Sequence, residues 1–253
     1  IIYKSRIPLR EGDVFIALSD GALHAGTEAA LNMAWQRKDD IEFMEVMYSP
    51  DFTAKTLSTM LLNQCYALYG GEPGDDTTVC TVKIRRRQLV NLLIGPPAAP
   101  EDVPKMMSLF FSKDGKHIVC GGTTSELAAE YLKQSLDTRS GIDKDPAIPP
   151  TATLAGVDLV TEGAITIGRV LEYARDYLKD NERYKDWSYK QDGASLLAKL
   201  LFEEATDINL YVGRAINPAH KELPFGAGSK LYAVDELSNC LLNMGKRVKV
   251  SYF

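Results

Sequence analysis

Apolar and polar positions follow two different rhythms along the chain. In the first stretch, Asp13–Ser19 (DVFIALS) reads as a buried strand that Asp20-Gly21 breaks. Two helices are expected over about residues 26–48, and a third from Thr53 to Tyr69. The third sets Leu57, Met60, Leu61, Cys65 and Leu68 on one face at helical spacing. Gly70-Gly71 stops it, and Thr77–Arg85 then alternates as a strand. Beyond Arg85-Arg86-Arg87 the rhythm changes to strand, loop, helix, repeated. Strands are expected at Leu89–Ile94, His117–Cys120, Val157–Val160, Ile208–Val212 and Val248–Phe253. Helices are expected near 102–112, 125–136, 165–178, 193–205 and 229–244. Strands alternating with helices imply a parallel sheet covered on both faces. Thr138–Pro150, rich in Asp and Pro, reads as a surface loop. The pattern divides the chain into residues 1–87 and 88–253.

Composition narrows the function classes. A formal net charge of -5 without a basic stripe disfavours nucleic acid as partner. No apolar run approaches the roughly 20 residues of a membrane helix, and a cytoplasmic location is expected. The four cysteines, at 65, 80, 120 and 240, form no CxxC pair and sit in apolar stretches, so buried free thiols are expected. With only three histidines, at 24, 117 and 220, a histidine-rich zinc site has little to draw on.

Two acidic motifs carry the chemistry of the first stretch. Leu18-Ser19-Asp20-Gly21 ends one strand, and Gly74-Asp75-Asp76-Thr77-Thr78 precedes another. Carboxylates at strand ends suit hard cations such as Mg²⁺ or Mn²⁺. Taken singly, each motif is also an ordinary turn or helix cap.

Together, Gly12-Asp13-Val14-Phe15-Ile16-Ala17-Leu18-Ser19-Asp20-Gly21, the following His24-Ala25-Gly26, and Gly74-Asp75-Asp76-Thr77-Thr78-Val79 resemble the metal-dependent type-2C protein phosphatases. The resemblance is to the bacterial branch typified by stage II sporulation protein E, and it covers about residues 7–87. It implies that Asp20 and Asp75 are metal ligands for two Mg²⁺ or Mn²⁺ ions, with Gly21 and Asp76 supporting them from behind. It also implies a phosphoserine or phosphothreonine protein substrate, such as an anti-sigma-factor antagonist. The family's earlier Asp-Gly, whose aspartate bridges both metals, has no counterpart before Asp20. The fold expected is therefore α/β: an incomplete α+β phosphatase remnant, inactive alone, followed by a parallel-sheet, three-layer, Rossmann-like α/β domain.

In a parallel sheet, ligands gather beyond the carboxyl ends of the strands. The loops leaving those ends are Gly95-Pro96-Pro97, Gly121-Gly122-Thr123-Thr124-Ser125, Thr161-Glu162-Gly163 and Gly213–His220. The second offers backbone N–H groups and hydroxyls at a helix start, which suits an anion; a capping box of Thr123 with Glu126 explains the same residues. Glu162 suits a ribose or amine, or simply caps a helix. Arg214, Asn217 and His220 suit a phosphate or carboxylate, or form a plain surface turn. Gly226-Ala227-Gly228-Ser229-Lys230 lacks the spacing of a phosphate loop. On this reading the second domain is a sensor for a small anion that regulates the phosphatase. The alternative is a non-catalytic small-anion-binding or interaction module.

Overall fold

The computed structural model describes residues 3–26, 35–138, 151–215 and 227–253. They fall into two compact units, Ile1–Arg86 and Arg87–Phe253.

The first unit is built on an antiparallel pair, β1 (Val14–Leu18) and β2 (Val79–Lys83), in the register Leu18↔Val79. Between them run α1 (Asp20–Leu23), α2 (Arg37–Met47) and α3 (Ala54–Leu68). Thr53 caps α3 by accepting from the Thr56 N–H at 3.1 Å, and Leu57, Leu61 and Cys65 form its buried stripe. Asp20-Gly21 does not merely break β1, as the sequence suggested, but opens the four-residue α1. Of the two helices expected over 26–48, α2 is seen; residues 27–34 lie outside the described residues. Cys80 is exposed, against expectation, because alternation on β2 turns it away from α3. The other three cysteines are buried free thiols.

The second unit is mixed α/β around a mostly parallel sheet. Its strands are β3 (Leu89–Ile94), β4 (Lys116–Cys120), β5 (Asp137–Thr138), β6 (Ala152–Thr153), β7 (Leu159–Thr161), β8 (Asp207–Val212) and β9 (Arg247–Tyr252), in the order β5-β6-β7-β4-β3-β8-β9. From β7 to β9 every neighbouring pair is parallel, and the order reverses between β3 and β8. Helices α4 (Val103–Phe111) and α5 (Gly122–Leu132) cover one face, where Leu93, Val119 and Val160 meet Met106, Phe110 and Ala128. Helices α6 (Ala164–Leu178), α8 (Gly193–Ala198) and α9 (Ala227–Asn243) cover the other, over Leu92, Ile118 and Leu210. A short α7 (Tyr184–Ser188) buries Trp187 against Tyr173, Tyr177 and Phe202.

Several expectations need correction. The helix expected at 193–205 is α8 followed by a wider π-helical segment, Lys199–Glu204, closed where Lys246 Nζ donates to the carbonyls of Phe202 and Ala205, each at 2.7 Å. Helix α5 starts at Gly122, three residues early, because Gly121 adopts φ 115° and turns the chain at once; it ends where Lys133 turns left-handed. Thr138, read as loop, pairs with Ala152 in a two-residue edge strand, while 139–150 lie outside the described residues. Arg87 belongs to the second unit, where its guanidinium grips Asp207 at 2.5 and 3.0 Å. Among the described residues no helix is long and apolar enough to cross a membrane.

Candidate functional site

The antiparallel register of β1 and β2 determines what meets at their ends. Because Leu18 faces Val79, the residues leaving β1 lie beside those entering β2, although they are more than fifty positions apart. Ser19 ties the two together. Its N–H donates to Thr78 O at 3.0 Å, its hydroxyl donates to Asp76 O at 3.1 Å, and that hydroxyl accepts from Thr78 N–H at 2.9 Å.

Gly21 makes the closest approach. A Cβ there would stand 2.6 Å from Asp76 O and 3.3 Å from Asp75 Cβ, so no side chain fits. Tyr69 hydroxyl donates to Gly21 O at 2.8 Å and fixes the turn from behind. One oxygen of each carboxylate is used locally: Asp20 Oδ1 accepts from Gly21 N–H at 3.1 Å, and Asp75 Oδ1 from Asp76 N–H at 2.8 Å. Both side chains are exposed, and the second oxygen of each has no hydrogen-bond partner among the described residues. Asp76 contributes its carbonyl to the turn.

Two oxygen donors held beside a glycine too crowded for any side chain fit a hard cation as partial ligands. They are not a complete set: among the described residues, no three of His, Cys, Asp or Glu cluster closely enough to hold an ion.

In the second unit the parallel strands place their following loops along one edge of the sheet. Two of those loops interlock. Gly121 N–H donates to Thr161 O at 2.9 Å, and a Cβ on Gly163 would stand 3.3 Å from Gly121 Cα. The Glu162 carboxylate lies between the two helix starts: Oε2 accepts from Gly163 N–H at 2.8 Å, and Oε1 is 3.7 Å from where a Cβ on Gly122 would stand. The favourable place for an incoming anion thus already has a negative charge beside it.

The hydroxyls of this turn are largely committed. Thr124 and Ser125 are buried, and Ser125 Oγ donates to Gly121 O at 2.8 Å. Thr161 Oγ1 donates to Glu162 O at 2.9 Å and lies 3.1 Å from Cys120 Sγ. Burial pushes that thiol up to about 12. The capping box of Thr123 and Glu126, the alternative to an anion site, is absent. Gly121 holds the capping position without any side-chain bond, and Thr123 lies within the first turn, exposed.

Arg214 is elsewhere on the same edge. Its strand, β8, is separated from β4 by β3, roughly 10 Å at ordinary strand spacing. Its guanidinium lies over the Tyr252 ring, 5.2 Å from the centroid, and the Arg214 backbone N–H donates to Phe253 O at 2.8 Å. Gly213 packs against the Gly95-Pro96 turn, and Lys230 Nζ donates to Gly213 O at 2.6 Å and Ala215 O at 3.1 Å. Burial holds this ammonium below the usual lysine range. Asn217 and His220 lie outside the described residues. The structure therefore joins Gly121–Ser125 with Thr161–Gly163 and leaves Arg214 beside β9.

Sequence reasoning missed Lys230 at the strand-order reversal, having set it aside with a glycine-rich decoy. It also missed Asp40, an acid on the buried side of α2. Its signal was readable: Asp40 lies at helical spacing from Arg37, Met44 and Tyr48, inside an otherwise mostly apolar stripe. No family model matches the chain, and no curated protein or solved structure matches it.

Proposed function

We propose that Asp20 and Asp75 are ligands of Mg²⁺ or Mn²⁺ in a phosphatase centre acting on phosphoserine or phosphothreonine of a regulatory protein. The observation that carries this reading is the contact of Gly21 with Asp75-Asp76, where even a methyl group would collide at 2.6 Å. The two acidic motifs lie side by side there, which supports the type-2C reading. When bound, a pair of such ions activates a water and neutralises the phosphoryl oxygens. The chain's own part is to orient: Ser19 and Tyr69 lock the two turns, leaving one oxygen of each aspartate for metal. The outward face of β1 and β2, with Phe15, Ala17, Cys80 and Val82 exposed, is apolar, as the face that meets a second sheet in that fold would be.

The remaining ligands of such a centre come from the family's bridging Asp-Gly segment. The test joins this chain to that segment and measures Mn²⁺-dependent release of phosphate from a phosphopeptide. Loss of an outer partner of a metal ligand typically costs about 10–100-fold. Asp20→Asn or Asp75→Asn, which removes a ligand, should therefore cost at least about a hundredfold. Full activity in both variants refutes the assignment. The 253-residue chain by itself should show no such turnover.

The second unit serves in this reading as a regulatory sensor. The alternative, a small-anion module with no catalysis, has weaker support, because Glu162 stands beside the paired helix starts that an anion would use.

A further inference from the structure

A cavity of about 610 Å³ opens in the first unit between β1, α2 and α3. Val14, Ile16 and Leu18 of β1, Ile41 and Met44 of α2, and Leu61 of α3 give it hydrocarbon walls. Its volume lies within the usual range for small-molecule sites, roughly 300–1,000 Å³. Arg37 and Glu45 stand exposed at its rim, so the entrance carries no net charge.

One wall is not hydrocarbon. Asp40 lines the cavity at 5% exposure, and neither carboxylate oxygen has a hydrogen-bond partner among the described residues. A buried carboxylate left this way is costly, and a structural role would have supplied it with a donor. Its surroundings bring little relief. Burial pushes its carboxyl up to about 6, Asp39 pushes the same way, and only His24 opposes them.

We propose that this cavity binds an organic ammonium ion with an apolar body, whose N–H groups donate to Asp40. Each half of the cavity selects for one half of that ligand. The walls from β1, α2 and α3 take the hydrocarbon, which gains by leaving water. The carboxylate takes the ammonium, because a charge-assisted bond is strongest where water is excluded. A carboxylate ligand meets a like charge there, and an alcohol gives Asp40 a donor without a compensating charge. Asp20 and Asp75 are not among the residues that line it.

Hexylamine is the probe, titrated at pH 7.5 into the whole chain while the Met44 methyl resonance is followed by NMR. A saturable shift is expected. Asp40→Asn should weaken hexylamine by about tenfold or more, the usual loss for a hydrogen bond to a charged group. It should leave hexanol unchanged. In Met44→Trp, followed through the neighbouring Ile41 methyls, the indole fills the cavity and hexylamine binding should disappear with Asp40 intact. Three results overturn the proposal: no saturable shift with the unsubstituted chain, equal affinity for hexylamine and hexanol, or undiminished hexylamine affinity in Asp40→Asn.

Discussion

Replacing Asp40 by Asn should make the first unit more stable, and only above acid pH. Burial pushes the folded carboxyl from its ordinary 3.8 up to about 6. At 1.36 kcal/mol per unit, this is about 3 kcal/mol. Between pH 4 and 6 the folded state holds a proton that the unfolded state has released. Stability therefore falls as pH rises through that window and stays lower above it. Asn has nearly the same shape and no charge to bury. The two proteins should differ by less than about 1 kcal/mol at pH 4, and the Asn variant should be ahead by up to about 3 kcal/mol at pH 7.5. Urea unfolding followed by ¹⁹F NMR on fluorotryptophan-labelled protein isolates the effect. Trp35, against Phe43 at 5.4 Å, reports on the first unit, and Trp187 on the second. An advantage of the same size at pH 4 and pH 7.5, or an Asn variant that is the less stable at pH 7.5, refutes the reasoning.

Gly21→Ala drives a methyl group to 2.6 Å from Asp76 O, and should lower first-unit stability by about 1–3 kcal/mol, read from the Trp35 resonance in urea. Asn91 is fully buried; its amide donates to Asp114 O at 2.9 Å and its oxygen accepts from Asn209 at 2.9 Å, so Asn91→Ala should cost the second unit about 1–3 kcal/mol in the same experiment. Glu162→Ala frees the Gly163 N–H, and inorganic phosphate should then shift the amide resonances of Gly122 and Gly163 while leaving the unsubstituted chain unaffected.

The strands were legible where a short apolar run ends in glycine, as Leu89–Ile94 does at Gly95 and Lys116–Cys120 at Gly121. Their order was not. Nothing local in Leu89–Ile94 says that its second neighbour will be Asp207–Val212. Strands β5 and β6, at two residues each, are too short to carry a period. The start of α5 was misplaced because serine and threonine look like caps, while Gly121 does that work with a backbone angle. At the acidic motifs the sequence supplied residue types and strand ends; their proximity follows only from the antiparallel register. Asp40 escaped notice because one acid in an amphipathic helix looks like its solvent face. Its helical spacing from Met44 and Tyr48 was the contrary signal, and packing shows that it points inward.

The reversal of strand order also governs how the second unit comes into being on the ribosome. Strand β3 is the first of its sheet to be synthesised, yet Asn209, the side chain that completes the Asn91 pair, follows 118 residues later. Until then, one edge of the central strand has unpaired N–H and C=O groups, a template for another chain. A nascent protein halted anywhere before β8 is therefore sticky at its centre rather than at its rim, so early termination should yield aggregates instead of a smaller soluble domain.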